Sequence, residues 1–208
     1  MCDSALYATT KTATRKREAT SRLLAGGDPA AVTLRGVARE AGVAAPSVYG
    51  HFEDLDALLL AVVEQHLSQL RAAVEAAAGD DPADRLRAAC LAYAGWGVEH
   101  PGAYAVVFGG RAVRLLSAQE SAAFADGEAM LAHLRDLVAA LPPGPGEGPG
   151  HASGPEDAAG PSVEQTAMAV WTGLHGCVGL RTGKPGYPWP PLAEHVDLVL
   201  ATLLGPRS

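Results

Sequence analysis

The residues of this 208-residue chain with the widest chemistry are its seven histidines and three cysteines, Cys2, Cys90 and Cys177. Only His175 and Cys177 lie close together, and side chains two apart on a helix diverge rather than meet. No carboxylate, serine or second cysteine nearby completes a nucleophilic or tetrahedral set around them. His51, His66, His100, His133, His151 and His195 show no HExxH spacing either. His175 therefore reads as a core histidine. No catalytic residue, metal site or cofactor is expected. The cysteines are odd in number and far apart, with no CxxC pair, which points to a reducing cytoplasm.

The elements that carry the polar residues are helical. Alternating β-branched runs are missing, Ala and Leu dominate, and apolar spacings of three and four recur, so the fold class is all-α. Helices are expected near Thr12–Ala25, Leu55–Ala78, Ala83–Glu99, Tyr104–Leu116, Ala118–Leu141, Val163–Thr182 and Leu192–Leu204. On the second of these, Leu55, Leu58, Leu59, Val62, Val63, Leu67, Leu70 and Val74 form one apolar stripe. Residues 142–162 are too rich in Pro and Gly to hold a helix or bury a core and read as a loop. The N-terminus lacks an apolar signal core, and no apolar run reaches the roughly 20 residues that span a bilayer. A soluble cytoplasmic protein with no membrane partner is expected.

At 48% hydrophobic residues the chain can bury a sizeable core. Its formal net charge of −7 argues against a polyanionic partner for the chain as a whole, yet the charge is unevenly spread. Residues 1–52 hold seven Lys or Arg against four acids, a net +3, while the remainder holds nine against nineteen, a net −10. A basic head meeting a polyanion and an acidic body that does not is the simplest arrangement.

Within that head, "VTLRGVAREAGVAAPSVYGHF" (residues 32–52) holds two very short helical segments. Thr33 is placed to cap the first, Leu34, Val37, Ala38 and Ala41 share one face, and Gly42 ends it. The second opens with the small residues Ala44, Ala45, Pro46 and Ser47. Two short helices joined by a glycine-containing turn form the helix-turn-helix pattern, whose second helix enters the DNA major groove N-terminus first.

Val32–Leu59 closely resembles the DNA-binding head of TetR-type bacterial repressors, in which a Val-Ala-x-x-Ala-Gly-Val helix precedes a recognition helix ending in Tyr-x-His-Phe. The resemblance implies that Thr33 and Arg35 hold phosphate and that Ala45, Pro46, Ser47 and Val48 face bases. Tyr49 and His51 would clamp the backbone while Phe52 packs inward. One position departs from the pattern. The family commonly has a lysine at the start of the fourth helix, where this chain has Leu55 within the acidic run "EDLD". Arg15, Lys16 and Arg17, expected ahead of the first helix, could offset that loss at the phosphates or form a solvated tail.

The resemblance extends to "WTGLHG" (residues 171–176), which matches a Trp-x-x-Leu-His-Gly signature of one C-terminal subgroup. Met168, Trp171 and His175 share a helical face, as do Tyr93, Trp96 and His100. Tyr93, Trp96, His100, Tyr104, Phe108, Phe124, Trp171 and His175 are the candidate ligand-binding residues, with plain core as the alternative for the aromatics. Residues 1–54 would be the DNA-binding domain and 55–208 an effector-binding and dimerisation domain. The apolar stripe Leu192, Val196, Val199, Leu200, Leu203 and Leu204, with a glycine strip at Gly173, Gly176 and Gly179, suggests a homodimer paired through the last two helices. The expected partners are a near-palindromic double-stranded DNA operator and a small, largely apolar effector. The alternative is an all-α enzyme or interaction module with an incidental helix-turn-helix.

Overall fold

The computed structural model describes residues 3–25, 32–50, 52–109, 122–142 and 161–205. Among them the chain forms nine helices and no strand, as the apolar spacing requires. These are α1 (Asp3–Leu24), α2 (Leu34–Ala41), α3 (Ala45–Tyr49), α4 (Leu55–Glu75), α5 (Pro82–Glu99), α6 (Pro101–Phe108), α7 (Ala122–Ala139), α8 (Val163–Gly183) and α9 (Leu192–Leu204). The first helix starts nine residues earlier than its sequence suggests, because "DSALYATTKTA" has no glycine or proline to stop it. Arg15, Lys16 and Arg17 lie inside α1. Most of the Pro/Gly-rich segment, residues 143–160, lies outside the described residues, as do residues 110–121.

Two compact units emerge. The first comprises residues 1–69 and 99–126, the second residues 70–98 and 127–208. The boundary expected between residues 54 and 55 falls inside the first unit, at the start of α4. The α4 stripe is buried from Leu58 onward, with Leu58, Val62 and Leu70 at 0% exposure. In the first unit it shares the core with Leu24, Val37 and Val48; in the second, Leu86, Val170, Val178 and Val196 are fully buried or nearly so.

The second unit ties its last two helices together closely. A Cβ placed on Gly173 of α8 would lie 2.8 Å from Val199 Cγ1 of α9, so the seam depends on that glycine. Arg87 of α5 holds Asp197 of α9 through two hydrogen bonds of 2.5 and 2.9 Å. At the N-terminus of α8, Ser162 and Gln165 form a reciprocal capping box. Of the α9 stripe, Val196 and Leu200 are buried and Leu192, Val199, Leu203 and Leu204 are half-buried, while Leu198 is the exposed large apolar residue of that helix.

In the first unit, α6 belongs with α1, α2 and α3 although it follows α5 in sequence. It packs on α1 at Gly102, where an added Cβ would collide with the Leu24 carbonyl oxygen. Gly95 in α5 is the opposite case, with nothing near its missing Cβ. Gly95→Ala is expected to raise stability by about 0.5–1 kcal/mol, since alanine loses less backbone entropy in a helix. Gly102→Ala is expected to lower the melting temperature despite the same propensity gain, because α6 must withdraw from α1. Thermal unfolding of the two variants beside the parent chain checks both signs.

Candidate nucleic-acid interface and effector site

The reading head is built from helices too short to stand alone. Thr33 caps α2: its Oγ1 accepts from the Gly36 amide at 3.1 Å. Gly42 ends α2 with φ 64°, a left-handed conformation that glycine adopts without a Cβ penalty. Its amide and that of Val43 return to the carbonyls of Arg39 and Ala38 at 3.2 and 3.0 Å. The five-residue α3 follows, its Ser47 amide bonding to the Ala44 carbonyl at 2.8 Å. Proline at the second position of α3 suits a helix start, where an amide donor is not needed.

Two neighbouring cations on α1 tie these helices down. Arg15 Nη2 donates to the Ala41 carbonyl at 2.7 Å, at the end of α2. Lys16 Nζ donates to the Ser47 carbonyl in α3. Successive residues on a helix point about 100° apart, so one turn of α1 reaches both partners. Arg15 meets a carbonyl at the C-terminal end of α2, where the macrodipole favours positive charge. Lys16 is 0% exposed, and burial moves its ammonium below the ordinary lysine range because it disfavours the charged form. It therefore has no surface to offer a phosphate. Of the three basic residues considered as offsetting phosphate contacts, Lys16 is thus an internal anchor and Arg15 is engaged at Ala41.

The sequence-based site residues divide as follows. Thr33, Arg35 and Pro46 are exposed, and Ser47 is half-buried. Val48 is 0% exposed and belongs to the core, which corrects the expectation that it faces bases. Val48 lies about 100° around α3 from Ser47, so it turns into the core while Ser47 stays half-buried. His51 and the side chains of Ala45 and Tyr49 lie outside the described residues. The acidic run after the recognition helix has a structural use, since Asp54 Oδ1 accepts from the Ala57 amide at 2.8 Å and caps α4. Glu53 and Asp54 are exposed, and Leu55 at the head of α4 is half-buried.

The aromatic candidates fall in both units. In the first, Tyr104 is buried and lies 4.7 Å, centroid to centroid, from Phe108; His100 and Phe124 are exposed, Phe124 to 54%. In the second, the structure brings Tyr93, Trp171 and His175 together. The Tyr93 hydroxyl lies 3.0 Å from His175 Nε2, and the Trp171 ring meets the imidazole edge-on at 4.5 Å. Trp96, one turn beyond Tyr93, is buried. Burial lowers the His175 pKa to about 4, so the ring is neutral at pH 7 with one donor and one acceptor nitrogen. A separate apolar groove of about 370 Å³ lies among Leu86, Leu141, Leu200 and Leu204, with the Arg87–Asp197 pair at its rim. Sequence periodicity carries no signal for it, because its walls come from α5, α9 and the segment that follows α7.

The His175 environment carries a pH signature. Between pH 6.5 and about 4 the unfolded chain binds a proton at this residue that the folded chain refuses, so stability falls as pH falls through that window. The loss is at most roughly 3–3.5 kcal/mol, and smaller where solvent reaches the ring. His175→Gln is expected to show a smaller drop in urea midpoint between pH 7 and pH 4.5 than the parent.

Comparison with known proteins supplies the family. The family model described as "Bacterial regulatory proteins, tetR family" matches residues 17–62, and that described as "Tetracyclin repressor-like, C-terminal domain" matches residues 86–203. No curated protein matches the chain. Among solved structures, the fold is similar to a protein of unknown function from Rhodococcus sp. RHA1, at 23% identity over 90% of this chain and 93% of that one, TM-score 0.65. It is also similar to the TetR family transcriptional regulator PfmR from Thermus thermophilus, at 17% identity over 93% and 100%, TM-score 0.63. A tetR-family transcriptional regulator from Streptomyces coelicolor gives 18% identity over 94% and 81%, TM-score 0.62. At these identities the structures speak for the fold, and the two family models, one covering the head and the other more than half of the chain, speak for descent. A helix-turn-helix head and an all-helical body, each matched by its own model, make this chain a member of the TetR family of bacterial DNA-binding transcriptional regulators.

Proposed function

We propose that the protein is a repressor that binds a near-palindromic operator as a homodimer and leaves it when a small, largely apolar effector binds. The observation that carries the coupling is the membership of α6 in the same compact unit as the head. That helix bears the Tyr104–Phe108 aromatic pair and packs against α1 at Gly102. The same α1 anchors the recognition helix through Lys16. A molecule that prefers a different setting of α6 therefore acts on the helix that positions α3, and it weakens DNA binding by its differential affinity for the two settings. In the second unit, Trp171, Tyr93, Trp96 and His175 would supply apolar and aromatic contacts to such a molecule, with one neutral imidazole for orientation.

Pairing of two protomers is assigned to α8 and α9. Nothing lies near the missing Cβ of Gly176, Gly179 or Gly183, and Met168, Leu180 and Leu198 are exposed. These give α8 and α9 an apolar face with room for close approach. Two heads in such a dimer read half-sites about one helical turn, roughly 34–36 Å, apart. Sedimentation of the full chain at micromolar concentration is expected to show a dimer, and a monomer there would remove this pairing.

Binding to DNA from upstream of the protein's own gene, followed by fluorescence anisotropy, tests the reading directly. Arg35→Ala is expected to weaken binding to all operator variants alike and to lessen the salt slope by about one unit, as loss of a phosphate contact does. Ser47→Ala is expected to change the preference among operators, by about 1–3 kcal/mol at the affected base pair. A panel of apolar small molecules, screened by tryptophan fluorescence, is expected to contain one that releases the DNA. Ligands that shift fluorescence without releasing DNA would leave a DNA-binding protein but remove the effector mechanism.

A further inference from the structure

The apolar groove of the second unit shares no lining residue with the cluster of Tyr93, Trp171 and His175. At about 370 Å³ it lies at the small end of the range for clefts that hold small molecules. Its floor is three buried leucines: Leu86 of α5, Leu141 beyond the end of α7 and Leu200 of α9. Ala83 and Ala201, exposed and with a single methyl each, leave it open toward solvent. Leucine left facing an unfilled space keeps apolar surface in water and forgoes packing contacts, both of which an apolar occupant restores. The rim carries charge. Asp84 and Asp197 stand there against Arg87, two carboxylates against one guanidinium, which leaves one negative charge. Asp197 gives both of its oxygens to Arg87, at 2.5 and 2.9 Å, so that pair is satisfied within itself. The positive end of the α5 macrodipole and the negative end of the α9 macrodipole both reach the groove and offset each other. The excess is therefore the charge of Asp84, exposed in the first turn of α5.

We propose that this groove is a binding site for a small organic cation of the alkylammonium kind, its aliphatic body on Leu86, Leu141 and Leu200 and its ammonium at Asp84. The charge at the rim decides the sign of the head group. An anionic head would have to compete with Asp197 for Arg87 and would lie beside Asp84, whereas a cationic head meets Asp84 and leaves the Arg87–Asp197 pair intact. The aliphatic body supplies most of the affinity, because the floor is buried and the rim charges are screened by solvent. The bound molecule joins the start of α5 to the end of α9, two helices that the Arg87–Asp197 pair already links. It therefore raises the melting temperature of the chain as its concentration rises.

Calorimetric titration of the full chain with butyl-, hexyl- and octylammonium, and with octanoate as the anionic counterpart, is the test. No DNA is present, so the result is independent of the proposed repressor mechanism. Each added methylene is expected to tighten binding by about threefold to fourfold until the groove is full. Octanoate is expected to bind roughly fivefold or more weakly than octylammonium at low salt, with the gap narrowing as salt is raised. Asp84→Asn is expected to close that gap, and Ala201→Phe, at an exposed position on the rim, to fill the groove and abolish binding of both. Octanoate bound as tightly as octylammonium overturns the proposal, as does octylammonium binding that is absent at millimolar concentration or unchanged in an Ala201→Phe variant of parental helicity. Methyl chemical shifts in the parent chain locate the ligand without any variant: changes at Leu86, Leu141 and Leu200 support the site, and changes confined to other residues overturn it.

Discussion

A helix of five residues cannot hold itself. Its nucleation is unfavourable, and α3 has hardly enough length for one turn of internal hydrogen bonds. Everything that the head does depends on what fixes this helix from outside. The fixing is done from below by Val48, fully buried, and from the side by Lys16, whose ammonium is turned inward onto the Ser47 carbonyl. Arg15 does the same for α2 at Ala41. Burying a lysine is costly, so its retention here makes sense as a specific register device: a hydrophobe could fill the volume but could not hold a carbonyl in place.

The same constraint explains why α6 matters. A recognition helix that depends on α1 inherits any displacement of α1, and α6 touches α1 where only glycine fits. The head's own compact unit thus includes a segment that is remote in sequence. In the proposed mechanism, transmission runs through α6, α1 and the two cations.

Much of this was legible in the sequence because it is local. Thr33 and Gly42 bound α2 as their chemistry dictates, and the α4 stripe from Leu58 to Val74 is buried as its spacing requires. The boundaries of α9 coincide with its apolar run. What periodicity could not reveal is direction and distance. The resemblance sets Val48 toward bases, whereas packing turns it into the core. The basic triplet at residues 15–17 reads as a phosphate-seeking tail on charge alone, whereas the fold continues α1 through it and turns Lys16 inward. Asp54 reads as a repulsive charge beside DNA, yet it caps α4. Cys177 and His195 are brought together only by the α8–α9 turn.

The central claim is that DNA binding rests on an internal anchor that never touches DNA. The most direct measurement is the affinity of Lys16→Met for operator DNA as a function of salt, in a protein whose helicity matches the parent. Methionine preserves the buried volume and removes the donor to Ser47. The account predicts an affinity lowered by roughly tenfold or more, the loss of a hydrogen bond from a charged donor, with a salt slope equal to the parent's because no phosphate contact is lost. An unchanged affinity, or a slope reduced by about the one unit that a phosphate contact contributes, would contradict it.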